Sequence, residues 1–378
     1  MGPRVEWDAI VVGAGPGGCA AAYFLACEGA RVLLLERRQY PVDKVCGEFW
    51  SHEGVAVLRR MGLEGRLGDF PVLRRVEVSD ASGRLWRSPL PHFGMGGSRY
   101  RIDSLLVERC REAGVEVAMP AQVRSVEGAP GVGYEVLVRR RGKEERCRGR
   151  LIVAACGKTG TLRGDLPPVV SRGPRYVGIK VHAQGSAGDA VELHAFRGGY
   201  LGIAAIEDGR VNLCLLVRED AFRRSGREIE QLVTEVGGSN RLLHSRLHVL
   251  SVDWKQAVYA ANLHFGARAW SRGGVMQVGD AAAAVAPLCG DGMSMALEAG
   301  ACLGALGPAF LNGSLKADQL EERYARACRR AFGVRLRWGG LLQRVLLRPG
   351  WAAAALALLG LAPPLGRLFI RKTRGHYA

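Results

Sequence analysis

The sequence predicts an α/β protein in which a parallel-sheet domain is interrupted by an antiparallel sheet. Three observations predict this class. An apolar strand, a glycine-rich turn and an alanine-rich helix follow one another between residues 7 and 38. Short alternating strands dominate from about residue 174 to 265, and a buried, parallel-style strand returns at 275–279. With 378 residues, 48% of them hydrophobic, the chain is long enough for both regions.

The first 38 residues predict a βαβ unit. Residues 9–12 are an apolar run typical of a strand that is buried on both faces. The turn 13–18, Gly-Ala-Gly-Pro-Gly-Gly, precedes an alanine-rich helix over 19–28, which Gly29 ends. The apolar run 31–36 predicts the neighbouring strand.

The next segment predicts a hairpin and a helix before the parallel strands resume. Residues 73–90 alternate in polarity around the turn 80–83, Asp-Ala-Ser-Gly. Residues 102–114 fit an amphipathic helix, with Asp103 as its N-cap. The remaining predicted elements are a helix at 51–61 and strands at 115–126, 134–140 and 151–155.

The antiparallel region and the tail complete the predicted elements. Glu207-Asp208-Gly209 is the clearest turn signal between the short strands. The predicted strands are 176–183, 190–196, 200–206 and 210–217, with a helix near 226–237, a helix over 290–306 and a helical tail from 317.

These elements predict a discontinuous organisation. The parallel-sheet domain would comprise residues 1–73, 98–172 and 266–316. The antiparallel substrate-binding region would comprise 74–97 and 173–265, and the basic helical segment 317–378.

The first glycine motif has the spacing of a dinucleotide-binding turn. Gly13 would permit the tight turn, Gly15 would let a pyrophosphate approach the backbone, and Gly18 would let the helix pack closely on the strand. The helix N-terminus would attract the phosphates. Glu36, twenty-one residues after Gly15, ends the next strand, where a carboxylate can accept hydrogen bonds from ribose hydroxyls.

A second motif favours FAD over NAD as the resident nucleotide. Gly279 and Asp280 close a strand, and the segment 287–293, Pro-Leu-Cys-Gly-Asp-Gly-Met, opens a helix. Asp280 can accept hydrogen bonds from a ribityl chain. The helix N-terminus would point its positive end at the flavin pyrimidine, where negative charge collects on reduction.

Together these segments resemble the flavoprotein superfamily of geranylgeranyl reductases and p-hydroxybenzoate-hydroxylase-like monooxygenases. The resemblance covers most of residues 7–310. It is carried by the turn 13–18, by 44–48 (Lys-Val-Cys-Gly-Glu), by 101–106 (Arg-Ile-Asp-Ser-Leu-Leu) and by 279–292. It implies a Rossmann-type FAD-binding domain of the p-hydroxybenzoate-hydroxylase-like kind, with an inserted antiparallel sheet over the substrate pocket and a helical C-terminal tail.

The resemblance also implies contacts to a non-covalently bound FAD. The first motif would hold the pyrophosphate, Glu36 the adenosine ribose, and Arg101 the phosphate or ribityl region. Gln122 and Val123 would reach adenine through their backbone groups. The full implied set is Gly13, Gly15, Pro16, Gly17, Gly18, Glu36, Arg37, Cys46, Gly47, Arg101, Gln122, Val123, Gly279, Asp280, Pro287, Gly290, Asp291, Gly292 and Met293.

The run 44–48 is similar to the Lys-x-Cys-Gly-Gly run that geranylgeranyl reductases carry beside the flavin, with Glu48 in place of the last glycine. It makes Cys46 the candidate catalytic residue, as a group that shapes the site or donates a proton. The alternative is that Cys46 is a small buried hydrophobe. No metal-ligand spacing occurs among the cysteines and histidines, so no metal is predicted.

Two departures from related enzymes narrow the chemistry. Hydroxylases of this superfamily carry an Ala-Asp-Gly run where this chain has Ala155, Cys156 and Gly157. NAD(P)H is therefore a possible reductant but a doubtful direct donor. The Trp-x-Trp-x-Ile-Pro run of halogenases on this fold does not occur in the sequence, which argues against halogenation.

The charge of the chain is unusual and unevenly placed. The formal net charge is +17, and residues 323–378 hold twelve Lys or Arg and no Asp or Glu. Such a segment could lie on an anionic membrane surface, receive an acidic carrier protein, or only close the pocket with its apolar face. We expect no nucleic-acid partner. The scattered cysteines and the lack of a secretory signal predict a cytoplasmic protein, and the basic tail could place it peripherally on the membrane.

Three functions remain open at this point. The first two are enzymatic and involve a bulky hydrophobic substrate such as an isoprenoid, quinone, lipid or polyketide chain, as the resemblance and the apolar tail suggest. The first is geranylgeranyl-reductase-like reduction of a carbon–carbon double bond. The second is a flavin-dependent monooxygenase that uses NAD(P)H and O2 on an aromatic or polyketide substrate. The third is a membrane- or carrier-docked FAD protein that transfers electrons.

Overall fold

The computed structural model describes residues 6–157, 162 and 173–375. The strands of its first sheet, numbered in chain order, are β1 (Trp7–Val12), β2 (Val32–Leu35), β6 (Glu116–Ala118), β7 (Ala121–Ala129), β8 (Gly133–Arg140), β9 (Lys143–Ala154), β17 (Ser271–Arg272) and β18 (Val275–Gln277). This sheet is built around parallel strands in the spatial order β17-β18-β9-β1-β2-β6, and β7 and β8 extend it through β9.

The strands of the second sheet are β3 (Phe49–Trp50), β4 (Val72–Ser79), β5 (Leu85–Gly96), β10 (Tyr176–Gln184), β11 (Ala190–Phe196), β12 (Gly199–Ala205), β13 (Arg210–Arg218), β14 (Ser251–Val252) and β15 (Val258–Leu263). Their order is β14-β10-β13-β12-β11-β4-β5-β3, with β15 also paired to β10. This sheet is antiparallel except for the parallel pair β4–β11, which the sequence did not predict. The short strands β16 (Gly266–Ala267) and β19 (Ala283–Ala284) pair separately.

Helices cover both sheets. The α-helices of the described residues are α1 (Pro16–Cys27), α2 (His52–Arg60), α3 (Arg99–Glu112), α4 (Glu219–Arg224), α5 (Ile229–Ser239), α6 (Arg241–His248), α7 (Gly292–Leu311), α8 (Ala317–Leu346), α9 (Pro349–Leu361) and α10 (Pro363–Lys372). Within the second sheet, Ile179 and Val181 of β10 point to the cluster that α4–α6 cover. Lys180 and His182 alternate to the opposite face, toward the loop that precedes β3.

The close packing of α1 on α7 joins the first and last parts of the first domain. Three glycines of α7 face α1. A Cβ added at Gly300 would lie 2.4 Å from the Gly17 carbonyl oxygen, and one at Gly304 would lie 2.3 Å from Phe24 Cβ. The third, Gly307, meets Leu25. Because α1 and α7 each begin at one of the glycine motifs, this contact brings the two motifs side by side.

The structure corrects several predicted boundaries. The N-cap of α3 is Ser98, whose hydroxyl accepts a hydrogen bond from the Arg101 amide, and Asp103 lies inside the helix, buried and ion-paired. The predicted helix near 226–237 is α5, but α4 and α6 flank it. The segment 290–306 becomes helical only at Gly292, because Gly290 is left-handed with φ +61°.

The tail forms three helices, separated where Pro349 and Pro363 begin new ones. By length and composition, α7 could cross a bilayer, but 56% of its apolar stretch is buried inside the protein. Taken together, α8 and α9 are also long and apolar enough to cross a bilayer, although the chain bends by 112° between them. The division into domains stays a prediction, and its boundary at residue 172 lies outside the described residues.

Candidate functional site

The turn after β1 has the open centre that the glycine motif predicts. Gly13 has φ +109°, and a Cβ added there would lie 2.4 Å from the Ala155 carbonyl oxygen. A Cβ at Gly18 would lie 1.9 Å from the Gly13 carbonyl oxygen. Gly15, the N-cap of α1, differs, because the nearest atom to an added Cβ is Arg99 Nη2 at 3.7 Å. Ligand atoms can therefore approach the backbone at Gly15, in front of Pro16 and the α1 N-terminus.

Glu36 lies beside this turn, and neighbouring backbone amides hold its carboxylate. Its Oε2 accepts a hydrogen bond from the Ala14 amide at 2.9 Å, and its Oε1 accepts one from the Arg38 amide at 3.0 Å. The side chain is only 7% exposed. The next strand joins it, because the Ala121 amide donates to the Glu36 carbonyl at 2.7 Å. Gln122 and Val123, which follow Ala121, therefore lie near Glu36, where the adenosine end of the dinucleotide is predicted. The side chain of Arg37 is exposed.

The second motif adjoins the first through Gly17. An added Cβ at Gly17 would lie 2.6 Å from Val278 Cγ1, just before Gly279 and the half-buried Asp280. The turn at Pro287 leads to Gly290, where an added Cβ would lie 2.6 Å from Phe49 Cδ1. The structure therefore brings together two glycine motifs that lie more than 260 residues apart in the chain.

Asp291 takes a different position from the one implied for it. Its side chain is fully buried and accepts hydrogen bonds from the Ser51 hydroxyl at 3.0 Å and from Arg335 Nη1 at 3.1 Å. Burial raises its pKa to about 7, although Arg335 opposes that rise. Arg335 also binds Glu298, so α8 is tied to the start of α7, at Gly292, by a buried charge cluster.

The arginine at the phosphate turn is Arg99, and the prediction for Arg101 is corrected. Arg101 binds Asp69 at 2.9 Å and lies over the Phe70 ring. Arg99 instead lies beside Gly15 and binds Asp103 through both Nε and Nη2 at 2.7 Å. The role of Arg101 was implied by the resemblance of the run 101–106, whereas the start of α3 at Arg99 places Arg99 and Asp103 on one face of the helix.

Lys44 completes this buried ion network. Its Nζ lies 2.8 Å from Asp103 Oδ2 and also contacts the Tyr40 hydroxyl. Burial alone would raise the pKa of Asp103, but the Arg99 guanidinium and the Lys44 ammonium lower it below its usual range. Burial lowers the pKa of Lys44. The network fixes the loop that leads to Cys46 against α3.

Cys46 lies between the two glycine motifs and the second sheet. Its thiol donates to Met293 Sδ at 3.4 Å, and its carbonyl accepts from Asn212 Nδ2 of β13 at 3.0 Å. Burial raises the pKa of the thiol, which therefore keeps its proton. At the neighbouring Gly47, no heavy atom lies within 4 Å of an added Cβ. The loop therefore borders open space at the start of α7.

Glu48 anchors the other end of this loop in a buried polar cluster. It is fully buried with φ +54°, and it accepts from the Arg99 amide at 2.8 Å. Lys180 Nζ lies 3.0 Å from Glu48 Oε1 and also binds Asp43. His182 Nε2 lies 2.7 Å from Glu48 Oε2. We call Asp43, Glu48, Lys180 and His182 the loop–sheet cluster.

The ligand atoms of Asp43, Glu48 and His182 lie within 4.8 Å of one another, a spacing that a metal ion could use. The Lys180 ammonium binds both carboxylates, however, and supplies the positive charge that a metal would bring. The arrangement is therefore that of an ion-pair cluster.

Sequence reasoning missed most of these groups. His182 looked like an ordinary strand residue, and Lys180 and Asn212 carried no motif. The available signal was polarity, because Lys180 and His182 interrupt an otherwise apolar strand at every second position. A buried lysine needs a partner, but only the fold shows that Glu48 supplies it.

The site fits a flavin dinucleotide. The open turn at Gly15, the helix N-termini of α1 and α7, and the carboxylates of Glu36 and Asp280 are the groups that such a dinucleotide needs. Gly47, which has open space around it, is linked to the start of α7 through the contact of Cys46 with Met293.

Comparison with known proteins agrees with this fit. The family described as FAD binding domain matches residues 6–334. Menaquinone reductase of Mycobacterium tuberculosis is 26% identical over 347 residues, which cover 84% of this chain and 81% of that protein. Digeranylgeranylglycerophospholipid reductase 2 of Methanopyrus kandleri is 29% identical over 344 residues, which cover 84% of this chain and 78% of that protein.

Solved structures share the fold at low identity. A flavin-dependent brominase superposes with a TM-score of 0.84 at 18% identity, covering 97% of this chain and 93% of that one. A geranylgeranyl bacteriochlorophyll reductase-like protein of Thermoplasma acidophilum superposes with a TM-score of 0.74 at 18% identity, covering 89% of this chain and 85% of that one. The chain therefore belongs to the FAD binding domain family and is an FAD-dependent oxidoreductase.

Proposed function

We propose that this enzyme reduces a carbon–carbon double bond in the isoprenoid part of a lipid or quinone. The observation that carries the proposal is the position of Cys46. Its protonated thiol contacts Met293 at the start of α7, beside the open space at Gly47. Two relatives that match 84% of the chain are named reductases of a quinone and of an isoprenoid phospholipid, which supports the same reaction class.

Apolar side chains near this loop support a hydrophobic substrate. Leu193 of β11 and Leu288 before α7 are half-buried and pack in one apolar cluster with Tyr200 and Leu346. Val191 belongs to a second cluster with the buried Phe49 ring. Such walls favour an aliphatic chain and exclude water from the reacting atoms.

FAD, when bound and reduced, supplies the hydride that such a reduction needs. The residues of the chain do the rest. The Lys44 and Glu48 networks hold the loop in place from both ends, so Cys46 keeps one position. Because the Cys46 thiol keeps its proton, Sγ can donate it to the substrate carbon that does not receive the hydride.

The test is a single-turnover reaction under anaerobic conditions. The enzyme is reduced with dithionite and mixed with a menaquinone or a geranylgeranyl lipid in detergent. We expect flavin reoxidation together with a product whose isoprenoid chain is heavier by two hydrogens. For menaquinone the mass is measured after air has reoxidised the quinone ring, because reduction of the ring alone also adds two hydrogens. Because Cys156 replaces the aspartate of hydroxylases, we expect NADPH alone to reduce the flavin slowly. Reduced flavin that stays reduced with all such substrates would overturn the proposal.

Oxygen insertion is the second candidate, and a short match favours it. A squalene epoxidase of Gibberella zeae is 48% identical over 58 residues, which cover 15% of this chain and 12% of that protein. Rapid flavin reduction by NADPH, with substrate-dependent oxygen consumption, would support this function over the first. Reoxidation only by an electron-accepting protein would support electron transfer instead.

A further inference from the structure

We propose that α9 and α10 form a surface that lies on an anionic lipid bilayer and receives the hydrophobic substrate from it. We call residues 349–372 the docking surface. The bilayer contact stands on the structure alone, and the delivery of substrate rests on the proposed function.

The apolar part of this surface is exposed on one side of α9. The helix Pro349–Leu361 contains no polar side chain. Trp351 is 62% exposed, Leu358 50% and Leu361 86%. These positions are seven and three residues apart, so they lie on the same face of the helix. A water-facing stripe of this kind is typical of a helix that lies in the membrane interface.

The opposite side of α9 is packed, so the exposed side is a defined surface. Ala352 and Leu356 are 2% and 6% exposed. Ala352 belongs to the apolar cluster that contains Leu193 and Tyr200 of the second sheet. One helix therefore has its inner face on the proposed substrate wall and its outer face toward the surroundings.

Positively charged residues flank α9 along the chain. Arg348 precedes α9, and α10 carries Arg367, Arg371 and Lys372, all exposed. The chain has no acidic residue after Glu322. Basic side chains beside an apolar helix match the interface of an anionic bilayer, where the charged groups stay with the headgroups.

The structure also shows which part of the basic tail can face a membrane. Along α8, Leu346 is buried and Leu336 packs against the core, so much of its apolar face closes the protein. The chain bends by 112° between α8 and α9, and α9 leaves Trp351 and Leu361 exposed. A bilayer explains both the charge and the exposed Trp351 and Leu361, whereas an acidic carrier protein explains only the charge.

The first test is co-sedimentation of the FAD-loaded protein with vesicles of phosphatidylcholine, with and without phosphatidylglycerol. We expect binding to the anionic vesicles that weakens at high salt, since screening shortens to about 3 Å at 1 M. Each basic residue removed should weaken binding about fivefold, so Arg367→Gln, Arg371→Gln and Lys372→Gln together should lower it about a hundredfold. The matched control changes three exposed basic residues of β7–β9, namely Arg124, Arg139 and Lys143, to Gln and should bind normally.

The second test addresses the apolar stripe and the choice of partner. Trp351 fluorescence, taken as the difference between the protein and Trp351→Phe, should be quenched by brominated lipids. Leu358→Ser with Leu361→Ser should weaken vesicle binding with unchanged flavin content. Equal sedimentation with neutral and anionic vesicles, or retention by an acidic carrier protein without vesicle binding, would overturn the bilayer proposal.

A third measurement separates the bilayer contact from the proposed reaction. The docking variants should reduce a detergent-dispersed substrate normally but a vesicle-embedded one slowly. If neither the parent protein nor the docking variants reduce the substrate in detergent or in vesicles, the proposed reaction is wrong, but the vesicle-binding result is unaffected. Equal rates on both substrates would show that the surface does not deliver substrate.

Discussion

At the scale of single residues, the glycines of the first turn serve different purposes. Gly13 and Gly18 are needed by the protein itself, because an added Cβ would meet backbone. Gly15 has free space and is needed only by the ligand. We therefore expect Gly15→Val to fold yet to lose FAD, as shown by the flavin absorbance of the purified protein. Gly238→Val, at an exposed helix position where no heavy atom lies within 4 Å of an added Cβ, should keep the flavin. A yellow, active Gly15→Val variant would contradict the phosphate-turn assignment.

Cys46 offers the sharpest test of a single catalytic group. We expect Cys46→Ser to bind FAD normally and to reoxidise reduced flavin with substrate at least tenfold more slowly, since proton transfer by a positioned group contributes roughly a hundredfold or more. Cys289→Ser is the control, because that thiol is also buried but lies behind Gly290, against α8. If both variants turn over like the parent protein, Cys46 is only a packed side chain.

At the scale of elements, the buried cluster between α7 and α8 should make stability depend on pH. Unfolded Asp291 would ionise near pH 4, whereas the folded pKa is about 7. Between these values the unfolded state binds fewer protons, so this group lowers stability as pH rises from about 4 to about 7. Each pKa unit corresponds to about 1.4 kcal/mol.

Asp291→Asn should remove this dependence. Urea unfolding at pH 5 and pH 7.5 is expected to show that the variant loses less stability than the parent protein over this interval. Asp318→Asn, which changes an exposed carboxylate at the start of α8, should behave like the parent. An Asp291→Asn variant that loses as much stability as the parent would show that Asp291 is ionised throughout.

At the scale of the whole molecule, the loop–sheet cluster joins the loop beside the two glycine motifs to the second sheet. Lys180 is 2% exposed and Glu48 is fully buried. Lys180→Met would remove the positive charge beside the buried Glu48 carboxylate and should lower the free energy of unfolding by about 3–5 kcal/mol. Adding Glu48→Gln should recover much of that loss, because the unpaired charge disappears.

Denaturant unfolding of the FAD-loaded protein measures both changes. Lys255→Met removes an exposed lysine of the same region and should have little effect. A loss below about 1 kcal/mol for Lys180→Met would mean that the cluster does not hold the two halves together.

Local patterns were enough to predict much of the fold. The apolar run of β1 and the spacing of Gly13, Gly15 and Gly18 predicted the βαβ unit, because a tight turn and a phosphate-facing helix need glycine at those positions. The start of α3 was predicted too late, since both Ser98 and Asp103 are good N-caps and only packing decides between them.

The sequence by itself determined the fold class, the two glycine motifs and the flavin cofactor, because each depends on a short run of residues with fixed spacing. The tertiary structure alone decided which distant groups meet. Glu48 pairs with Lys180 and His182 across more than 130 residues, and Asp291 pairs with Arg335 across 44. It also decided that α8 packs inward while α9 exposes Trp351. Burial and ion pairing depend on contacts between elements, and no local pattern records which partner a charge will find.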